Sequence, residues 1–425
     1  MNLALGFLGL GNIGSGVYRL LKCNADKLLE REGLTVEVHR CLVRDLSKKR
    51  NADIEPSLLT TDPYVILNDP EIDAVVEFMG GIEPARTYIL AALRNGKSVI
   101  TANKMVLSAC WDELDAAARE GNAGLYYEAS VAGGIPVINV LNHSLQANRI
   151  TQVLGIVNAT TNAILTDMTE KGMNYAAALE RAQKNGYAEP DPTMDVSGQD
   201  AAHKLSILSS LCFDCRVKAE DIFCRGITEI TPEDIIFGRK LGLVPRLLAV
   251  GRKDNDGLQL HVHPSFIPES HPLASVRGSF NAIFLEGDAI GQVMLYGRGA
   301  GDMPTASAMV SDIVMAAKNQ GKHEYPAFMQ RHCPPILNKN WISAFYLHLL
   351  AEDTPGTLAS IAGVLGRHGV SLATVQQAIP EIGDVPIVMI THPAHLYSVE
   401  QALKEISQLR AVKTVVNAIP VEQEA

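Results

Sequence analysis

The chain lacks the features that mark membrane, nucleic-acid-binding and disulfide-rich proteins. No apolar run among its 425 residues is long enough to span a bilayer. Its formal net charge is −10, and no basic tail could neutralise nucleic-acid phosphates. Its seven cysteines are odd in number and scattered, which is typical of reduced thiols. These absences favour a soluble, cytoplasmic metabolic protein without nucleic-acid or membrane partners.

The length and the cysteine spacing set two further expectations. A chain of 425 residues is too long for a single hydrophobic core, so we expect two or three domains. Cys212 and Cys215 form one Cys-x-x-Cys inside a predicted apolar helix. A zinc or redox site would need a second pair or nearby histidine ligands, so buried packing is the default interpretation.

The amino-terminal region has the order of a dinucleotide-binding unit. Residues 3–21 read as an apolar strand, a glycine turn at Gly9, Gly11 and Gly14, and an apolar-periodic helix. Gly9 permits the tight turn, Gly11 lets the backbone approach a pyrophosphate, and Gly14 lets the helix pack on the strand. Further strands are predicted at 35–43, 72–78 and 98–101. The pattern predicts a Rossmann domain, and a purely structural glycine turn is the alternative.

The end of the second strand bears on the choice of nicotinamide cofactor. An NAD-selective site usually carries a carboxylate there, whereas this chain has Arg44, whose guanidinium suits a 2′-phosphate. Lys48, Lys49 and Arg50 follow it, so the sequence favours NADP. Asp45 keeps NAD open, and the basic run could also be an ordinary solvated loop.

Two later segments of this region are candidates for ligand contacts. Lys104 follows the fourth strand, where the carboxyl ends of parallel strands meet at the ligand crevice, although a surface lysine is the simpler interpretation. Residues 127–136 read as a strand that breaks into a glycine-rich turn. Such a turn can present several carbonyl groups to a cation, but a crossing between domains needs the same glycines.

An acidic loop ahead of one lysine has the composition of an active site. Between Gly186 and Lys204 the chain places four acids in sequence; these are Glu189, Asp191, Asp195 and Asp200. The prolines on either side of Asp191 disfavour a helix there, whereas the residues from Gln199 onward favour one. Asp200 and Lys204 then share a helix face at a spacing that lets their charged groups meet. An ordinary surface ion pair is the alternative.

The carboxyl-terminal part has the pattern of a separate module. Residues 298–317 read as a glycine loop followed by a helix, and an irregular stretch at 321–343 with Pro334 and Pro335 reads as a linker. Six elements then follow in the order β-α-β-β-α-β, a split ferredoxin-like unit. They are predicted at 344–350, from Pro355, and at 372–377, 385–391, 398–408 and 412–418.

Several of these motifs together resemble the homoserine dehydrogenase family. In chain order they are the glycine turn, TANK, YYEASVAGGIPVI, NATTNAIL, GYAEPDPTMDVSGQDAAHKLSIL and GRGAG. The likeness covers about residues 1–320, and residues 344–425 resemble an ACT domain. It implies an α/β fold with a Rossmann NAD(P)-binding domain at 1–135, to which a helix at 303–320 returns. A substrate-binding and dimerisation domain of the α+β type at 136–320 and a ferredoxin-like ACT domain after the linker complete it.

The resemblance also implies roles for individual residues. Lys204 would be the proton donor, Asp200 would orient the substrate, Glu189 would meet its amino group, Asp195 would be a further active-site acid, and Lys104 would lie between cofactor and substrate. The implied cofactor contacts are Gly9, Gly11, Asn12, Ile13, Gly14, Arg44, Lys104 and Gly301. The implied sodium ligands, largely backbone carbonyls, are Glu128, Val131, Gly133 and Ile135.

The family reaction interconverts L-aspartate 4-semialdehyde and L-homoserine with NAD(P)H. An ACT tail implies an amino-acid effector, most simply threonine, in a homodimer or homotetramer; a purely structural pairing role is the rival. Semialdehyde dehydrogenase chemistry would need a thiol nucleophile, and no cysteine lies in a catalytic context. An amino-acid sensor with an inactive Rossmann domain would need to have lost the acids and lysines that this chain retains.

Overall fold

The computed structural model describes residues 1–48, 53–320, 334–377 and 384–422. The chain forms two compact units, which are considered in turn. The first comprises the described parts of Met1–Val153, Ala202–Asp221 and Asn281–Pro335. The second comprises the described parts of Leu154–Ala201, Ile222–Phe280 and Ile336–Ala425. The domain boundaries drawn from the sequence remain a prediction beside this division.

The first unit contains a six-stranded parallel sheet. In spatial order its strands are Leu59–Thr60, Thr35–Leu42, Asn2–Leu8, Ala74–Glu77, Ser98–Thr101 and Leu125–Tyr126. The helices along this part of the chain are Asn12–Cys23, Ala25–Glu32, Tyr64–Leu67, Ala85–Arg94 and Lys104–Gly121. The first strand lies in the middle and the order reverses beside it, which confirms the predicted Rossmann architecture.

A later helix packs onto this sheet domain. The helix Asp302–Lys318, here called the return helix, shares a hydrophobic core with the strands and with the helix Asn12–Cys23. A Cβ atom at Gly16 would lie 3.2 Å from Cβ of Ala306, so the two helices approach closely because one contact residue is glycine. The remaining elements of this unit include a short helix, Val137–Asn139, the strand Gly291–Arg298 and, apart from its first residue, the strand Phe280–Gly287.

The second unit is built on a long hairpin. The strands Leu243–Asp254 and Gly257–Pro268 pair antiparallel over their whole length. The α-helices of this unit that precede the hairpin are Ala159–Lys171, Tyr175–Lys184, Thr193–Val196 and Pro232–Lys240. The strand Ile150–Ile156 and the helix Gln199–Phe213 each contain residues of both units.

The last part of the second unit has the ferredoxin-like arrangement that the sequence predicts. Its four antiparallel strands lie in the order Val412–Val421, Ile342–Ala351, Val385–Thr391 and Leu372–Gln377. The helices Thr357–Arg367 and Leu396–Ile406 share a hydrophobic core with them. The last strand runs to Val421, three residues further than predicted, because its end also pairs with Phe266 of the hairpin. That pairing could not be read from a local pattern.

Two details differ from the sequence predictions or lie outside the described residues. The helix Gln199–Phe213 ends before Cys215, because Asp214 adopts a left-handed φ of 50°. The prediction that both cysteines lie inside one helix is therefore wrong, although both are buried. Most of the predicted linker, together with Lys49 and Arg50, lies outside the described residues. Within the described ranges, no helix is long and apolar enough to cross a membrane.

Candidate active site

The glycine turn of the first unit has the geometry of a dinucleotide cradle. Gly9 has a φ of 101°, which favours glycine, and the helix Asn12–Cys23 begins two residues after Leu10. A Cβ atom at Gly14 would meet Phe78 at 3.2 Å and the Gly9 carbonyl oxygen at 3.3 Å. The backbone conformation therefore explains the glycine at position 9, and close packing explains the one at position 14.

Gly11 is different, because no contact with the described residues requires a glycine there. It is exposed, and a Cβ atom at this position would meet no atom of the described residues within 4 Å. Asn12 and Ile13 follow as the first helical residues, so the free amide groups of the helix start lie beside this open space. The arrangement fits a bound pyrophosphate, whose close approach would be blocked by a side chain at position 11.

Two charged residues, Arg44 and Asp45, follow the second strand. Arg44 is exposed. The Asp45 carboxylate accepts hydrogen bonds from the backbone amide of Ser47 at 2.8 Å and from its hydroxyl at 2.7 Å. Asp45 thus stabilises its own loop, whereas Arg44 extends toward solvent.

Lys104 begins a helix whose start is fixed by a buried carboxylate that the sequence analysis missed. Glu77, fully buried, accepts hydrogen bonds from the amide of Met79 at 2.6 Å and from the hydroxyl of Thr101 at 2.5 Å. The amide of Asn103 donates to that hydroxyl at 2.9 Å, and its side chain caps the helix Lys104–Gly121. Burial raises the pKa of Glu77. One acidic group therefore links the ends of two strands to the start of the lysine helix.

The helix Gln199–Phe213 carries both Asp200 and Lys204, as the sequence predicts. The Asp200 carboxylate is buried and accepts a hydrogen bond from the side-chain amide of Asn158 at 2.8 Å. The same amide nitrogen donates to Asp195 at 2.7 Å, and the hydroxyl of Thr160 donates to Asp195 at 3.0 Å. Two of the predicted acids are therefore brought together within the second unit.

Asn158 and Thr160 were not among the residues that the sequence analysis selected. Asn158 also caps the helix Ala159–Lys171, since its side-chain oxygen accepts from the amide of Thr161 at 2.8 Å. It lies 37 residues before Asp195, so local spacing gave no sign of the contact. Its occurrence in NATTNAIL, a motif already noted for the resemblance, was the available signal.

The remaining acids of the loop differ in their surroundings. Glu189 is exposed, and its backbone carbonyl accepts a hydrogen bond from Gln183 at 3.2 Å. The Asp191 carboxylate accepts from the hydroxyl of Thr193 at 2.6 Å and from its amide at 3.1 Å, which lowers the pKa of Asp191. Asp191 thus holds the loop, whereas Glu189 is open to solvent.

The glycine-rich turn after Tyr127 surrounds a buried acid. Both carboxylate oxygens of Glu128 accept backbone amides, those of Ile138 at 2.8 Å and Asn139 at 2.7 Å, and burial raises its pKa to about 7. Its own amide donates to Asp312 at 2.8 Å. Gly133 has a φ of 53°, and a Cβ atom there would lie 2.6 Å from the Gly299 carbonyl oxygen.

The contacts of Glu128 determine which of its groups could bind a cation. The side chain of Glu128 is already engaged, so it would contribute its carbonyl oxygen and its charge, in keeping with ligands drawn largely from the backbone. Gly301, which immediately precedes the return helix, has a φ of 119°. Among the described residues, no cluster of three or more histidine, cysteine or acidic side chains could hold a metal ion.

Comparisons with known proteins agree with the fold and the motifs. Residues 9–128 match the family model of the homoserine dehydrogenase NAD-binding domain, residues 136–314 match that of homoserine dehydrogenase, and residues 346–411 match that of the ACT domain. The chain is 42% identical to a homoserine dehydrogenase of Synechocystis, with 99% of this chain and 100% of that protein covered. It is 39% identical to one of Bacillus subtilis, with 98% of each covered.

Solved structures show the same similarity. A homoserine dehydrogenase of Thiobacillus denitrificans superposes with a TM-score of 0.93 at 38% identity, with 99% of this chain and 98% of that chain covered. A hyperthermophilic archaeal homoserine dehydrogenase in complex with NADPH gives a TM-score of 0.61 at 26% identity, with 75% of this chain and 98% of that chain covered. At these identities over nearly its whole length, the protein belongs to the homoserine dehydrogenase family and is an oxidoreductase that carries an ACT domain.

Proposed function

We propose that the protein catalyses the reversible NAD(P)H-dependent reduction of L-aspartate 4-semialdehyde to L-homoserine, a step of threonine and methionine biosynthesis. The observation that carries the proposal is the pair of acids held by Asn158, of which Asp200 lies one helical turn before Lys204. A zwitterionic substrate needs anionic partners for its ammonium group and a cation for the oxygen that becomes an alcohol.

In the proposed reaction, one lysine both stabilises the developing charge and donates a proton. Bound NAD(P)H supplies a hydride to the aldehyde carbon, and negative charge develops on the aldehyde oxygen. The ammonium of Lys204 stabilises that charge and gives the oxygen one proton, which leaves the alcohol and a neutral amine. Lys104 lies between cofactor and substrate in this scheme.

The acids hold the substrate. Glu189, which is exposed, accepts the substrate ammonium, whereas Asp195 and Asp200 orient the chain of the substrate through their fixed carboxylates. The rival chemistry, oxidation of a semialdehyde through a thioester, has less support. Burial raises the pKa values of Cys110, Cys212 and Cys224, which disfavours the thiolate that such a reaction needs.

The direct experiment follows NAD(P)H absorbance. Purified protein is given L-homoserine with NADP⁺ and, separately, with NAD⁺, and L-serine serves as the control alcohol because it lacks one methylene group. We expect reduction of the nicotinamide with homoserine only. Activity confined to another alcohol would overturn the proposal.

We further propose NADP as the preferred cofactor. The exposed Arg44 and the engaged carboxylate of Asp45 support it, as does NADPH in the archaeal relative. The Arg44→Asp variant should shift preference toward NAD, because the new carboxylate repels a 2′-phosphate and accepts the ribose hydroxyl. The ratio of kcat/KM values for the two cofactors measures this shift. Arg31→Asp, at an exposed site in an earlier helix, makes the same charge change and should leave the ratio alone.

A sodium ion bound by carbonyls of Glu128, Val131, Gly133 and Ile135 is part of the same proposal. The left-handed turn at Gly133 and the buried acid beside it support such a site. Sodium and choline chloride at equal ionic strength distinguish a bound ion from general screening. Equal activity in the two salts would count against the site.

We propose, finally, that threonine binds the ACT domain of a homodimer or homotetramer and inhibits the enzyme. A ligand shifts an equilibrium only through different affinities for its states, so inhibition requires two arrangements of the assembly. Threonine inhibition and mass in solution are measured on the full chain. A lack of inhibition would leave the ACT domain with an assembly role.

A further inference from the structure

We propose that a hydrogen bond between Ser108 and His203 positions the two lysines of the reaction; the inference rests on the function proposed above. The hydroxyl oxygen of Ser108 lies 2.7 Å from Nδ1 of His203, and Ser108 is only 2% exposed. Both residues belong to the first unit. Neither residue is among the groups that the proposed mechanism uses.

The contact joins the two helices at the positions that matter for the lysines. Ser108 lies four residues after Lys104 on the helix Lys104–Gly121, so the two side chains share a helix face. His203 immediately precedes Lys204 on the other helix. A shift or rotation at this contact would therefore move the backbone of each lysine by a similar amount.

Arg216 makes a second contact with Ser108, through the serine backbone. The guanidinium of Arg216, which follows the Lys204 helix, donates to the backbone carbonyl of Ser108 at 2.6 Å and to that of Val217 at 2.6 Å. Its carbon lies 5.6 Å from the ring centre of Trp111, on the same helix as Ser108. Ser108 is thus bound through its side chain by His203 and through its backbone by Arg216.

The expected consequence is larger for turnover than for stability. Ser108 lies inside a helix, where alanine is more favourable than serine, so losing the hydroxyl leaves the helix itself intact. Displacement of a catalytic group by about 1 Å can cost on the order of a hundredfold in rate. We therefore assign Ser108 and His203 as positioning residues, which act through Lys104 and Lys204 and do not touch the reacting atoms.

Two substitutions at His203 separate this role from a general need for histidine. An asparagine side chain can place its amide where Nδ1 lies, whereas a glutamine side chain places it nearer to Nε2. His203→Asn should keep kcat within about threefold of the wild type. His203→Gln and Ser108→Ala should each lower kcat by about tenfold or more, because each would let both lysines shift.

The double variant and a matched control complete the experiment. Ser108→Ala combined with His203→Gln should be no slower than the slower single variant, since both remove the same bond. Ser206→Ala is the control, because it removes a buried hydroxyl on the Lys204 helix that bonds within its own turn, to the carbonyl of His203 at 2.8 Å. It should retain full kcat.

Three results would contradict the positioning role of the Ser108–His203 hydrogen bond. Full kcat in Ser108→Ala and His203→Gln, with or without a lower melting temperature, would overturn the inference. So would equal losses in His203→Asn and His203→Gln, or losses that add in the double variant. A wild-type enzyme without activity on homoserine would overturn the proposed function, and this inference with it; an active wild type separates the two.

Discussion

Asn158 shows how one amide can organise an acidic site at the scale of a single residue. Its amide nitrogen donates to Asp195 and Asp200, and its oxygen caps a helix. Two carboxylates that share one donor are held close together and fixed in direction. In the proposed function these fixed carboxylates orient the substrate without first rearranging.

The Asn158→Asp substitution should therefore impair homoserine turnover much more than folding. Aspartate is as good a helix cap as asparagine, but it replaces the shared donor with a third acid. We expect kcat/KM for homoserine to fall on the order of a hundredfold, with cofactor binding retained. Asn174→Asp, at the cap of the helix Tyr175–Lys184, is the matched control and should behave as the wild type. Equal activity in both variants would contradict the role given to Asn158.

At this scale the sequence predicted the acids and lysines but not their partners. Asp195 and Asp200 were selected as candidates because they cluster within one loop and the helix that follows it. Asn158 and Glu77 were missed because their contacts join residues that lie 24 to 42 positions apart along the chain. Such contacts depend on the tertiary fold, which local pattern does not carry.

At the scale of elements, the glycine turn separates packing from ligand binding. Gly14→Ala should lower the melting temperature, because its Cβ atom would meet Phe78 and the Gly9 carbonyl. Gly11→Ala should leave the melting temperature unchanged, since a Cβ atom there meets no atom in the described part of the chain, yet it should weaken NADPH binding. Thermal unfolding and NADPH fluorescence titration measure the two effects. If Gly11→Ala binds NADPH as tightly as the wild type, the pyrophosphate does not lie at this turn.

The elements themselves were largely predictable. Strands with apolar residues on both faces, such as Ala74–Glu77 and Ser98–Thr101, are typical of a parallel sheet covered by helices, and the sequence placed both. The helix end before Cys215 was not predicted, because a left-handed Asp214 is less expected than a left-handed glycine. The extension of the last strand to Val421 was not predicted, because it depends on pairing with Phe266, a residue that is distant in the sequence.

At the scale of the second unit, a buried polar network attaches the ACT strands to an earlier helix. Asp234, fully buried, accepts hydrogen bonds from His348 at 2.7 Å, Tyr346 at 3.2 Å and Asn417 at 2.7 Å, and it also caps its own helix at Thr231. Burial alone would raise the pKa of Asp234, but these hydrogen bonds outweigh it and hold the pKa below its usual range.

Asp234→Asn should therefore destabilise the second unit. An amide in place of the carboxylate presents donors to groups that already donate, and loss of such a buried partner costs about 3 kcal/mol. Chemical denaturation measures the change in the free energy of unfolding. Glu233→Gln, the neighbouring exposed acid, is the control and should stay within about 0.5 kcal/mol of the wild type. A wild-type stability for Asp234→Asn would show that the network contributes little.

The same network bears on how regulation is tested. Removal of the chain from Trp341 onward would uncover Asp234 and the hairpin residue Phe266, which packs on Tyr346 at 4.8 Å between ring centres. A truncated enzyme would then differ from the wild type in more than the loss of an effector site. Threonine inhibition is for this reason better measured on the full chain.

We propose that Lys204 supplies the proton and stabilises the oxyanion when the aldehyde is reduced. The kcat of Lys204→Ala with homoserine, measured beside its dissociation constant for NADPH, tests this role. We expect a loss of about a hundredfold to ten-thousandfold in kcat with an unchanged dissociation constant, because the lysine would act on the substrate oxygen and not on the dinucleotide. Turnover close to that of the wild type would contradict it.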